Sequence, residues 1–270
     1  MLQYEFMQNA LIAGFFISIL CPLVGIFLVL KRYSMMGDTL SHASFAGIAI
    51  GLVVGIDPLL ASFGFTSFCG IFIEFLRNYY KKYSELVMSI ILTLSIGIAI
   101  ILISTGKASA NVNSILFGSI LTVSRKDLLI ILAIGIICIL IISSLFSKLI
   151  YITFDEEGAK AIGINVSLVN YIFTLLVGAT ISVSIRVMGI LVISSMIVVP
   201  VATALQLKKG FKTTLIWSII FGFLDIFIGI ITSFYIDSAP GGTIAVTSVI
   251  ILIITLIVNI ILKKLKIMKI

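Results

Sequence analysis

The chain has 270 residues, 61% of them hydrophobic and 11% charged, with a mean hydropathy of +1.32 and a net charge of +7. Soluble domains are about 25% charged and about half apolar, and a core able to hide this much apolar surface would need a far longer chain. A water-soluble globule is excluded; recurring apolar runs of about 20 residues make this an all-α, polytopic membrane helical bundle.

Nine spans are predicted, with eight as the second choice. The first, residues 8–30, follows "MLQYEFMQNA", which has no positive n-region, and the run is too long for an h-region, so no cleaved signal is expected. Pro22 removes the bond to the Ser18 carbonyl and predicts a kink there. The second span, 39–56, is entered through "SMMGDTLSHASFAG", residues 34–47, which holds the only histidine of the chain, His42, four places after Asp38. On a helix this i,i+4 pair shares one face with Cβ atoms about 5–6 Å apart, and Ser41 flanks it. In one reading Asp38 caps the span and His42 sits in the interfacial zone. In the other the pair faces a cavity and marks an ion path, where one imidazole and one carboxylate suit Zn²⁺, Mn²⁺ or Fe²⁺. Two ligands do not close a coordination shell.

Spans three and four cover 59–76 and 85–104. Fusing the second and third across Asp57-Pro58 gives the eight-span alternative. The following loop holds an apolar stretch, 115–121, too short to cross and expected on the outer face. After span five (127–147) comes "SKLIYITFDEEGAKAIGINVS". Thr153 and Glu156 fit a capping box, Asp155 is the alternative cap, and Gly163 is a natural stop. A polar helix at about 153–163 is either a solvated connector or a docking helix for a soluble partner. Spans six to nine cover 167–185, 187–206, 213–235 and 243–262. Pro200 breaks the seventh near Met196. The carbonyls freed by the two prolines either line a cation path or belong to inert bends. Asp225, in the middle of the eighth span, is expected to hydrogen-bond to a neighbouring helix, with a place on the pathway as the alternative. Arg186 reads as an interfacial anchor.

In the nine-span arrangement fourteen of the 18 basic residues fall on one side and four on the other. The basic side is cytoplasmic and carries the C-terminus. This bias, with anionic lipid, accounts for the net charge without a nucleic-acid partner. Cys21, Cys69 and Cys138 each stand alone in an apolar run, which favours packing over soft metal ligation. No repeat or linker divides residues 1–270, read as one domain. No G-x-x-x-x-G-K-[ST] occurs: "TGKAS" lacks the first glycine and the hydroxyl residue directly after lysine. The chain is therefore not expected to hydrolyse ATP.

"VLKRYSMMGDTLSHASFAGIAIG" closely resembles the signature of the permease subunit of bacterial ABC importers for zinc, manganese and iron. The likeness continues through "LFGSILTVSRKDL", similar to that family's outer loop, and "FDEEGAKAIGI", similar to its coupling helix. "VMGILVISSMIVVPVATA" resembles its proline-broken helix and "DSAPGG" the turn before its last span. The resemblance implies a type II ABC-importer-like fold in a bacterial cell membrane, working as a homodimer. It further implies cytoplasmic ATPase subunits and an extracytoplasmic metal-binding protein or lipoprotein, with Zn, Mn or Fe as cargo and no permanently bound cofactor. Asp38 and His42 match the family's metal-path residues, and Asp155, Glu156, Glu157, Ala159 and Gly163 fall in its coupling helix. Asp225 departs from the pattern. A rival is an ion-coupled secondary metal carrier with Asp38, His42 and Asp225 as a proton relay; the orphan coupling helix and the absence of inverted halves weigh against it. An intramembrane hydrolase using Ser41 or His42 lacks a G-x-S-x-G elbow.

Overall fold

The computed structural model describes residues 3–80, 83–105, 112–118 and 124–267. Lys81, Lys82, Lys107 and Lys269 lie outside the described residues, as do positions 119–121 of the outer-loop stretch and the side chain of Arg186. Each of the nine predicted spans coincides with a helix. In order these are α1 (Glu5–Leu30), α2 (Ser34–Val54), α3 (Pro58–Tyr79), α4 (Ser84–Ser104), α6 (Arg125–Phe154), α8 (Val166–Met188), α9 (Ile190–Leu205), α10 (Phe211–Ile236) and α11 (Pro240–Ile267). Two short helices lie between them, α5 (Val112–Phe117) and α7 (Glu156–Ala161).

Local chemistry sets the breaks. Gly55 takes φ +83° at the end of α2, a left-handed turn that costs glycine nothing. Asp57 then accepts hydrogen bonds from Leu59 N at 2.8 Å and Leu60 N at 3.1 Å, with Pro58 at the first helical position. Both are strong start signals, so α2 and α3 are separate and the fused reading does not hold. A capping box, unforeseen, starts α6, where Ser124 and Asp127 bond each other's backbone N–H groups. Helix α6 also runs past the predicted limit of 147 to Phe154, because Leu149 and Ile152 are still buried against the body.

Among the described residues eight helices are long and apolar enough to cross a membrane; α9, with 16 residues, falls short of that length. Its ends locate it. At one end the turn before α9 meets the start of α11, where a side chain on Gly241 would strike the Met188 carbonyl. At the other, Asn259 Nδ2 of α11 donates to the Gln206 carbonyl at 3.0 Å. Between those two α11 residues lie about 27 Å of helix rise, close to the roughly 30 Å of a hydrocarbon core. Helix α9 packs on α1, α2, α10 and α11.

The two ends of the bundle differ. One joins Glu5 to Arg125 by an ion pair at 2.5 Å and packs Gly118 (φ +74°) against the Val187–Gly189 backbone. The other joins Lys31 to Asn170 and carries α7. Helices α1 and α8 are central, 72% and 78% buried over their most apolar stretches against 11% for α11. Phe27 of α1 anchors the interior, its ring 5.6–6.0 Å from those of Phe146, Phe173 and Phe211.

Candidate functional site

Helix α2 is built from small residues on the faces it packs. Gly37 lies against Ser194 and Ile197 of α9, and a Cβ on Gly47 would stand 2.6 Å from Ser62 Cα of α3. Ser44, Ser62 and Ser182 join α2, α3 and α8 through hydroxyls 2.5–3.5 Å apart, all buried. These close contacts leave one open stripe on α2, which carries Met35, Asp38, His42 and Phe45. Ser41 is not on it: fully buried, it donates to the Gly37 carbonyl at 2.7 Å. Because α2 begins at Ser34, Asp38 lies in the second turn and caps nothing.

The Asp38 and His42 side chains are 47% and 25% exposed, with Oδ1 and Nε2 3.9 Å apart. That is too long for a hydrogen bond, so both keep lone pairs to offer. Two donors each about 2.1 Å from one ion lie about 3.0–3.4 Å apart at octahedral or tetrahedral angles, so the pair has to close by about 0.5–0.9 Å to share a transition-metal ion. Among the described residues no group of three or more His, Cys, Asp or Glu side chains converges here or elsewhere. One chain thus brings these two donor groups together and no third.

Asp225 does not join the pair. It is 1% exposed on α10, which packs on α1, α9 and α11, and its Oδ1 has no hydrogen-bond partner among the described residues. The hydrogen bond expected of Asp225 to a neighbouring helix is not made through Oδ1. The Ser18 carbonyl freed by Pro22 is covered by Gly222 of α10, where a Cβ would stand 3.2 Å away. All three cysteines are buried and free, in keeping with packing.

In the connection between α6 and α8, α7 is short and well capped. The expected Thr153–Glu156 box is absent: Thr153 Oγ1 donates instead to the Leu149 carbonyl at 2.6 Å within α6. Asp155 is the cap, accepting from Gly158 N at 2.8 Å. A side chain on residue 158 would collide with that carboxylate, which explains the glycine. Gly163, at φ +86°, ends the turn, with its N–H bonded to the Lys160 carbonyl at 3.0 Å. Ala159 is 1% exposed and seats the helix on α6 and α8. Glu157, Lys160, Ile162 and Gly163 face outward. Glu156, 2.9 Å from Lys160, holds the ammonium above its ordinary range.

A third constellation escaped the sequence reading, which saw its cations only as loop charge. Arg77 Nη1 donates to Glu74 Oε2 at 2.7 Å, and Glu74 is 2% exposed. The same guanidinium lies 3.9 Å from the ring centroid of Tyr33 and donates to its hydroxyl. Lys31 Nζ donates to Asn170 Oδ1 at 3.0 Å. The i,i+3 spacing of Glu74 and Arg77 was a legible signal; Tyr33 and Asn170 had none.

Comparison with known proteins follows the same lines. The ABC 3 transport family matches residues 3–259. A probable metal transport system membrane protein of Treponema pallidum (strain Nichols) is 47% identical over 256 residues, covering 95% of this chain and 96% of that one. The manganese import system permease protein ScaB of Streptococcus gordonii is 30% identical over 253 residues, covering 94% and 91%. Among solved structures, PsaBC from Streptococcus pneumoniae in complex with Fab superposes with a TM-score of 0.83 at 30% identity, covering 93% of this chain and 91% of that chain.

Proposed function

This chain belongs to the ABC 3 transport family, and from that membership we infer that it is the membrane-spanning permease subunit of an ATP-driven importer of divalent transition-metal ions. The observation that carries the reading into the chain is the Asp38–His42 pair, left on the one open stripe of an otherwise closely packed helix. An ionisable pair in a span costs about 2.5–3.5 kcal/mol per charged group if it meets lipid. A second copy related by a twofold axis removes that cost by facing the pair with itself. Two aspartates and two histidines then ring the path, enough donors for zinc, manganese or ferrous iron, which all accept nitrogen and oxygen. Such a ring binds transiently, since a tight site would trap the cargo.

Helix α7 is the handle for a cytoplasmic ATPase. The end of the bundle that carries Lys31, Arg77 and Lys160 is the cytoplasmic one by its excess of basic residues, and the C-terminus lies there too. An extracytoplasmic metal-binding protein delivers the ion at the opposite end. Closure of the nucleotide-bound motor moves α7, and the spans repack around the path as a two-state switch. The name of the Streptococcus gordonii relative, a manganese import system permease protein, makes manganese the first cargo to try. The test is uptake of radioactive manganese, zinc and iron into vesicles holding this chain, an ATPase and a metal-binding protein. Uptake requires ATP; accumulation driven by an ion gradient with no ATPase present overturns the reading.

A further inference from the structure

The motor would push on α7, yet the metal pair stands on α2, more than a hundred residues earlier in the chain. Something between them has to carry the displacement. The turn that enters α2 is held from two sides. Lys31, the last residue of the α1 turn, is tied to Asn170 of α8 at 3.0 Å and lies 5.2 Å from the Phe173 ring centroid. Tyr33, which caps α2, is stacked under Arg77 of α3, itself anchored to Glu74. Arg32 between them takes φ +60°, a left-handed conformation that a non-glycine residue holds at a cost of about 1–2 kcal/mol. Such a turn is tight and transmits rather than absorbs movement.

Tyr33, Glu74, Arg77 and Asn170 line a cleft of about 380 Å³ together with Glu156, Glu157 and Lys160 of α7. The charges are felt across the gap. Burial and then the neighbouring Arg77 lower the Lys31 ammonium, the carboxylates of Glu74 and Glu156 raise it, and the balance leaves it at about 8. A shift of α7 therefore changes the electrostatic balance of the cluster as well as its packing. Tyr33 is five residues before Asp38, about 7.5 Å of helix rise, so a displaced cap displaces the metal pair.

We propose that Lys31, Tyr33, Glu74, Arg77 and Asn170 are positioning residues that pass the movement of α7 to the α1–α2 turn, and so couple the motor to Asp38 and His42. The proposal rests on the reading of α7 as the motor's docking helix. A purely structural role predicts loss of folded complex; coupling predicts loss of transport at retained hydrolysis.

The experiment uses the whole importer in vesicles and measures ATP hydrolysis and manganese uptake on the same preparation. Spin labels on α7 and at the start of α2 report ATP-induced displacement. Arg77→Leu and Asn170→Ala keep hydrolysis within about twofold of the wild type, while manganese imported per ATP falls about tenfold or more. ATP still displaces the label on α7 and no longer the one on α2. Tyr33→Phe, which keeps the ring and loses the hydroxyl, is the gentler variant should the first two fail to assemble, and lowers the ratio less. The exchange Glu74→Arg with Arg77→Glu restores part of it. Wild-type stoichiometry in all three single variants overturns the proposal, and so does a proportional fall of hydrolysis and uptake. A wild-type chain that imports manganese without any ATPase overturns the reading of α7 itself, and the proposal with it.

Discussion

Asp38 and His42 are exposed because their neighbours are small. Gly37, Ser41, Ser44 and Gly47 fill the contacts with α3, α8 and α9, and the two ionisable side chains are what remains outside. Asp38→Asn removes the anionic donor and His42→Ala the imidazole, each at nearly constant shape of the packed faces. Manganese uptake should drop about tenfold or more for either variant. Substitutions at half-open positions usually change stability by no more than about 0.5 kcal/mol, so copy-to-copy assembly and ATPase docking stay normal. Uptake at the wild-type rate from both variants, at matched expression, would place the metal path elsewhere.

At the scale of elements, two glycines separate stability from partnership. A side chain on Gly25 would drive into the carbonyl oxygen of Ile197, so α1 and α9 meet backbone to backbone. Backbone cannot yield as a side chain can, and Gly25→Ala should cost about 1–3 kcal/mol, visible as a lower thermal unfolding midpoint in detergent. Unchanged melting would mean that the α1–α9 contact is slack. Gly163 presents the opposite case. It has open space around it and a φ of +86°, so Gly163→Leu meets no obstacle but strains the turn by about 1–2 kcal/mol. The predicted result is unchanged melting of the membrane body with loss of ATPase co-purification. An ATPase that still co-purifies fully with this variant would remove α7 from the docking surface.

For the whole molecule the decisive quantity is orientation. Lys126, exposed near the start of α6, and Lys160, exposed on α7, stand at opposite ends of the bundle. Cys21, Cys69 and Cys138 are all buried, so introduced thiols report against a quiet background. Lys126→Cys should react with an impermeant thiol reagent in intact cells, and Lys160→Cys only once the membrane is opened. Labelling of Lys160→Cys in intact cells would reverse the arrangement, and the charge rule would have failed for this chain.

Hydropathy and turn chemistry are local, and what depends on them was legible in the sequence. The helical class, the nine apolar segments, the break at Asp57-Pro58 and the stop at Gly163 all follow from neighbouring residues, and so does the Asp155 cap, which the sequence offered as the alternative to the Thr153–Glu156 box. The i,i+4 relation of Asp38 and His42 is local too. Three other things depended on which helix meets which. Only packing shows that the 16-residue α9 lies against α1, α2, α10 and α11. Only packing leaves Asp38 and His42 open while hiding Ser41 and Asp225 on faces that the sequence leaves equivalent. And only packing brings Tyr33, Arg77, Asn170 and Glu156 around one cleft. Their separations along the chain carry no periodic signal, since close approach at glycine and serine, not the pattern of apolar residues, sets which helix faces turn toward each other.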